Sequence, residues 1–232
     1  MRILNLYAGI GGNAKLWRQT AKQYNQDIFI THVEINPLLC KELRLLFPDD
    51  VVLNIDANDY LEYLAQNDML NDYDIIWSSP PCQTHSRMNR INSKKYHKSS
   101  YIDPSYIQQI ILLKYNYDGC YFVENVSPYY GVLFDGVQIG RHIIWSNIDV
   151  KDLSYNISNK KNLFDLTLEE LQIEYGIKLT QNIYLDYPNS HCPKQVYRNA
   201  VHPQLGALLL DRFLNRSRQS TLNNFSSMGL IY

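Results

Sequence analysis

Apolar residues fall along this chain in short, nearly continuous runs, each followed by a stretch with helical spacing. Runs rich in Ile and Val, with little polar alternation, are the mark of strands covered on both faces. The first is Arg2-Ile3-Leu4-Asn5-Leu6 and the second Ile28-Phe29-Ile30-Thr31-His32-Val33. Val51-Val52-Leu53-Asn54-Ile55, Asp74-Ile75-Ile76-Trp77 and Cys120-Tyr121-Phe122-Val123 follow, then Arg141-His142-Ile143-Ile144-Trp145-Ser146. Helices are predicted over 14–22, 38–47, 59–66, 104–115 and 205–214, with a helix-like patch at 166–175. The tail after Arg216 reads as loosely held. Strand and helix in alternation predict an α/β chain with a doubly wound, mostly parallel, Rossmann-like sheet.

The ends of these strands carry the candidate chemistry. After the first comes Tyr7-Ala8-Gly9-Ile10-Gly11-Gly12, a glycine-rich turn leading into a helix. Glycines there let the backbone approach a ligand, although a plain tight turn uses the same residues. Glu34 ends the second strand, where such folds bind ribose hydroxyls; capping the next helix is the competing role. Asp56 ends the third. The fourth runs into Ser78-Ser79-Pro80-Pro81-Cys82-Gln83-Thr84-His85-Ser86, where two prolines stop strand pairing and stiffen the turn that presents Cys82. A lone cysteine is most often buried and inert. Here the fifth strand delivers Glu124-Asn125-Val126 to the same end of the sheet, and a thiol facing a carboxylate suits covalent and acid–base steps.

Composition narrows the reading. The 232 residues hold 22 Lys and Arg against 23 Asp and Glu, so the net charge of −1 creates no global field for a polyanion. Attraction to phosphate must be local, and Arg87, Arg90, Lys94, Lys95 and Lys98 supply it in a stretch without an acid. Cys40, Cys82, Cys120 and Cys192 form no CxxC pair and no zinc spacing, so no metal is expected. Their scatter, with no signal-peptide pattern, points to a reducing cytoplasm. No apolar run is long enough for a membrane span.

Taken in order, these motifs resemble the cytosine carbon-5 DNA methyltransferases, which use S-adenosylmethionine. The resemblance spans residues 3 to about 214. It implies a class I methyltransferase fold in a bacterial or phage-infected cell, with a role in DNA modification such as restriction–modification. Tyr7, Ala8, Gly9, Gly11 and Gly12 would line the methionine part of the cofactor. Glu34 with Ile35 would hold its ribose, and Asp56 with Ala57 would lie near its adenine. Pro80 would border the site, and Asn199-Ala200-Val201-x-Pro203 would return to it through Asn199 and Val201. Cys82 would be the nucleophile, with Glu124 and Arg141 as the other catalytic residues. Gln83, Ser86 and the five basic residues after them would contact nucleic acid, a duplex from which the cytosine is flipped out.

Four departures qualify this. His85 stands where an aromatic residue is usual and is read as filling that space. The family's Arg-x-Arg motif keeps only Arg141; depending on the alignment, Ile143 or His142 takes the other place. Arg198 replaces a glycine. Finally, the chain divides into a core over 1–147, a small recognition remnant or connection over 148–193, and a returning segment over 194–232. Recognition would then be short, weak or supplied by a second copy or a specificity partner. An RNA cytosine methyltransferase, or a weakly active methyltransferase-like binding module, are the competing readings.

Overall fold

The structure is a computed structural model that describes residues 1–86, 91, 101–155, 163, 165–185 and 192–228, with side chains to 218. Seven strands form one sheet in the order β3-β2-β1-β4-β5-β7-β6. They are β1 (Arg2–Leu6), β2 (Phe29–Val33), β3 (Val51–Leu53), β4 (Ile75–Ser78), β5 (Cys120–Val126), β6 (Val137–Ile139) and β7 (His142–Ser146). The first five are mutually parallel, and β7 runs antiparallel between β5 and β6. The order reverses between β1 and β4, which opens a crevice at their carboxyl ends, where such sheets bind ligands.

The helices are α1 (Trp17–Gln23), α2 (Pro37–Leu46), α3 (Ala57–Gln66), α4 (Ser105–Asn116), α5 (Leu168–Tyr175), α6 (Gln195–Asn199) and α7 (Pro203–Met228). The strands' period of two sorts the core into two layers. Ile3, Ile75, Trp77, Phe122 and Ile144 face α1 and α7, against Trp17, Leu205 and Leu209. Leu4, Leu6, Ile76, Tyr121, Val123 and Ile143 face α3 and α4, against Leu61, Tyr106 and Leu113. Each buried side chain of this size contributes about 1.5–3 kcal/mol, so both layers are needed to hold the sheet.

Local chemistry sets the boundaries. Asn36 caps α2, its side chain accepting from the Leu38 and Leu39 amides, and Pro37 supplies a preset φ at the first position. Thr167 and Glu170 form a capping box on α5, and Gly176, at φ 60°, ends it. Several expectations shift. Residues 12–16 are turns, so α1 starts at Trp17 rather than 14. β5 runs on through Glu124 to Val126, because β7 pairs with it there, so Glu124 lies within a strand rather than at its tip. β6 and α6 are not expected from the sequence; each is very short. α7 continues to Met228, well past Arg216, after which the sequence reads as loose.

Candidate active site

The glycine turn is shaped by its own backbone. Gly9 and Gly11 hold φ of 58° and 72°, values that disfavour side chains. Gly12 is constrained by contact: a Cβ there would lie 2.4 Å from the Val201 carbonyl oxygen. The segment ahead of α7 is thus pressed onto the turn, which brings Asn199, Ala200 and Val201 to the end of β1. Glu34 is buried beside it and accepts from the Gly9 amide at 2.8 Å and the Asn36 amide at 2.8 Å. Burial raises its carboxyl above the usual range, against the pull of those amides. Its two oxygens keep lone pairs for hydroxyl donors. Asp56 caps α3, accepting from the Asn58 and Asp59 amides at 2.8 and 3.2 Å. Ala57 is buried at the start of that helix, whereas Ile35 is 62% exposed. Asn199 Oδ1 accepts from Gln195 at 2.7 Å, while its Nδ2 is buried without a partner. Open space beside Gly9, an acid with lone pairs to spare and an orphaned buried donor fit a polar ligand with hydroxyl groups.

Tyr7 has φ of 55° and sends its hydroxyl to Asn58 Oδ1 at 2.8 Å. Gln109 donates to both, and Ser78 donates to Gln109. Asn58 donates to Ser105, Ser105 to Asp103, and the Asp103 amide to Thr84. One hydrogen-bonded chain therefore joins the glycine turn to the turn that carries Cys82. Sequence reasoning misses Gln109, which sits on a helix face with nothing to mark it.

Cys82 opens a tight turn in which the His85 and Ser86 amides both donate to its carbonyl at 3.1 Å. Asn125 Nδ2 donates to the Pro80 carbonyl at 3.1 Å, fastening this turn to β5. Gln83 and Ser86 are half-buried beside it. The thiol is half-buried too. Burial pushes it up to about 11; the Glu124 carboxylate adds to that push and the Arg141 guanidinium opposes it. The charge of Glu124 thus acts on the thiol. His85 is buried, with Nδ1 2.9 Å from the Tyr130 hydroxyl and its ring edge-on to Tyr106. Burial lowers its pKa, so it packs there as a neutral ring.

Glu124 pairs with Ile144 across the β5–β7 ladder, and His142 is its diagonal neighbour on the same face. His142 Nδ1 hydrogen-bonds Glu124 Oε1. Ser79 hydrogen-bonds it too, and the Ser79 hydroxyl accepts from Trp77 Nε1 at 2.8 Å. Burial raises the Glu124 carboxyl, but His142, Ser79 and Arg141 more than offset this, so it lies below the usual carboxylate range. Arg141 sits in the turn closed by Gly140 at φ 61°. Its Nε donates to His142 Nε2 at 3.1 Å, and Nη2 to the carbonyls of Arg198 and Ala200 at 3.0 and 3.3 Å. Arg141 therefore reaches Glu124 through His142 and by its charge. Arg87, Arg90, Lys94, Lys95 and Lys98 lie outside the described residues.

No protein-family model matches the chain, and no curated protein sequence does. Solved structures do. A hypothetical protein from Thermus thermophilus superposes with a TM-score of 0.41 at 13% identity, over 62% of this chain and 73% of that one. A provisionally named DNA modification methyltransferase, encoded within an Escherichia coli prophage, gives 0.34 at 20% identity, over 54% and 32%. The plantazolicin methyltransferase, in complex with a substrate analogue and S-adenosylhomocysteine, gives 0.34 at 12%, over 54% and 38%. The chain thus spans about a third of the length of the last two.

Proposed function

We propose that this chain transfers a methyl group from S-adenosylmethionine to carbon 5 of a cytosine flipped out of duplex DNA. The observation that carries the reading is that the Cys82 turn is fastened to the strand of Glu124 by Asn125 and to the glycine turn by the hydrogen-bonded chain through Gln109, Asn58 and Ser105. The turn of Gly9, Gly11 and Gly12, with Glu34 and Asn199, would hold the cofactor, with Glu34 taking ribose hydroxyls. When bound, the cofactor supplies a methyl group activated on a sulfonium.

The chain's own part follows from its residues. Carbon 5 of cytosine is a poor nucleophile. Cys82, as thiolate, adds to carbon 6 and forms an S–C bond, which makes carbon 5 enamine-like. Glu124, as carboxylate, accepts from the exocyclic amine and from ring nitrogen 3 once a proton from solvent has reached that nitrogen, where charge develops as the thiolate adds. After carbon 5 has accepted the methyl group, a base takes its proton, the electron pair reforms the ring double bond, and the S–C bond breaks to return the thiolate. Flipping costs a few kcal/mol, which binding must offset.

Radiolabelled methyl transfer into duplex DNA, single-stranded DNA and RNA tests this. Transfer to DNA is expected, absent in Cys82→Ala and reduced about 10²–10³-fold in Glu124→Gln. DNA carrying 5-fluorocytosine is expected to trap a covalent adduct, because the carbon 5 fluorine cannot leave as a proton. Transfer by Cys82→Ala refutes the nucleophile. Transfer into RNA alone, or binding without transfer, replaces the reading with its competitors.

A further inference from the structure

We propose that His142 is the residue that positions Glu124 toward the base, and that Arg141 works one step further out by fixing the tautomer of His142. The inference deepens the reading above and rests on it. A guanidinium has donors only. At 3.1 Å from Arg141 Nε, His142 Nε2 must therefore accept, and the ring proton sits on Nδ1, where it is donated to Glu124. A proton on Nε2 would set two donors head to head, so the geometry leaves that nitrogen as the acceptor.

The rest of the surroundings support one orientation. Ser79, held by Trp77, donates to Glu124 as well, so the carboxylate is bound both from β7 and from the turn after β4. Arg141 is itself held by the carbonyls of Arg198 and Ala200, part of the segment pressed against Gly12. One chain of hydrogen bonds thus runs from the glycine turn's neighbour to the carboxylate. The charged and titratable groups around it are Glu124 and Cys82 on one side, and Arg141, His202, Glu174, Tyr155 and Tyr175 on the other. His202 keeps its own carboxylate partner, with Nε2 3.1 Å from Glu174 Oε1, and so does not compete for Glu124.

The test compares His142→Phe, which keeps the ring's bulk but donates nothing, with His142→Asn, whose amide nitrogen replaces Nδ1. His142→Phe is expected to lower kcat on the order of 10²-fold, with KM for DNA nearly unchanged, as for a misplaced catalytic group. His142→Asn is expected to recover to within about tenfold of the parent. The acid limb of the kcat–pH profile is expected to move to higher pH in His142→Phe, since Glu124 loses a donor to its charged form. A purely structural role would not move that limb. An unchanged kcat in His142→Phe, an unmoved limb, or an Asn variant no better than Phe overturns the proposal. Nitrogen-15 NMR of the parent reads the tautomer without any activity. Protonated Nδ1 is expected, shifting toward Nε2 in Arg141→Leu; bare Nδ1 in the parent overturns the proposal. A parent that transfers no methyl group to any nucleic acid instead fails the proposed function, a result the tautomer measurement does not share.

Discussion

The resting state of Cys82 can be measured directly. An ordinary thiol ionises near 9.0, and this one is pushed up to about 11. The difference is worth about 2.7 kcal/mol in favour of the neutral thiol. At about pH 8, roughly one in a thousand Cys82 side chains is then thiolate, against about one in ten for an unperturbed cysteine. Since the thiolate is the reacting form, alkylation by iodoacetamide is expected to run about 10²-fold slower than at an ordinary thiol. The assay uses a Cys192→Ser background, because Cys192 is the other half-buried thiol while Cys40 and Cys120 are buried. The rate is expected to climb with pH through a midpoint near 11. Two variants fix the cause. Glu124→Gln removes a negative charge and is expected to lower the midpoint; Arg141→Met removes a positive charge and is expected to raise it. Burial persists in both, so neither should restore an unperturbed thiol. A parent midpoint at or below 9.0 would refute the reasoning, as would both variants shifting the same way.

Other expectations follow from the same contacts. Glu34→Gln keeps the shape but removes a charged acceptor. Its affinity for S-adenosylmethionine by calorimetry should fall on the order of 10–100-fold, in line with a hydrogen bond to a charged group. Gly206→Ala would place a Cβ 1.9 Å from the Asn13 carbonyl oxygen, backbone that cannot step aside as a flexible side chain can. Thermal unfolding should show a loss of about 1–3 kcal/mol. Glu124 has its folded carboxyl depressed below 4.5, so its contribution to stability is present above that pH and lost as pH falls through the folded value. Acid denaturation of Glu124→Gln should accordingly be flatter below about pH 4.5 than that of the parent.

How much of this is legible in the sequence depends on the range of the interaction. The strands are legible because a doubly covered strand must be apolar throughout, and β1 matches its expected span residue for residue. Glu34, Cys82 and the glycine turn are legible because backbone geometry and chemistry coincide at strand ends. β6 is not, since three residues carry no period of their own and pair only because β7 lies alongside. Finding the partner of Glu124 needs the β5–β7 register: His142 and Glu124 are 18 residues apart and meet only on the antiparallel diagonal. Ser79 is hidden beside its prolines, and Gln109 in the middle of α4. Buried polar partners of this kind are set by tertiary contact, which local periodicity does not encode.

The described part of 148–193 bears on how a duplex would be read. Leu163, Leu166, Leu171, Tyr175, Ile177 and Ile183 share one core with Ile10 of the glycine turn, Leu39 of α2, and Val196 and Tyr197 of α6. Glu42, wholly buried on α2, accepts from the Thr180 amide at 2.8 Å and from its hydroxyl. These side chains are committed to packing beside the glycine turn and are not free to face bases. Beside Cys82 the described surface instead offers the connection from β5 to β6. It is fixed to the turn that carries Cys82 by the Tyr129 amide on the His85 carbonyl, and to β7 by Trp145 Nε1 on the Leu133 carbonyl. Its tip exposes Val132, Leu133 and Phe134. On the proposed reading, a duplex would meet a stiff apolar lip there, and discrimination among sequences would rest on how readily a base step opens against it more than on a separate set of hydrogen-bonding readers.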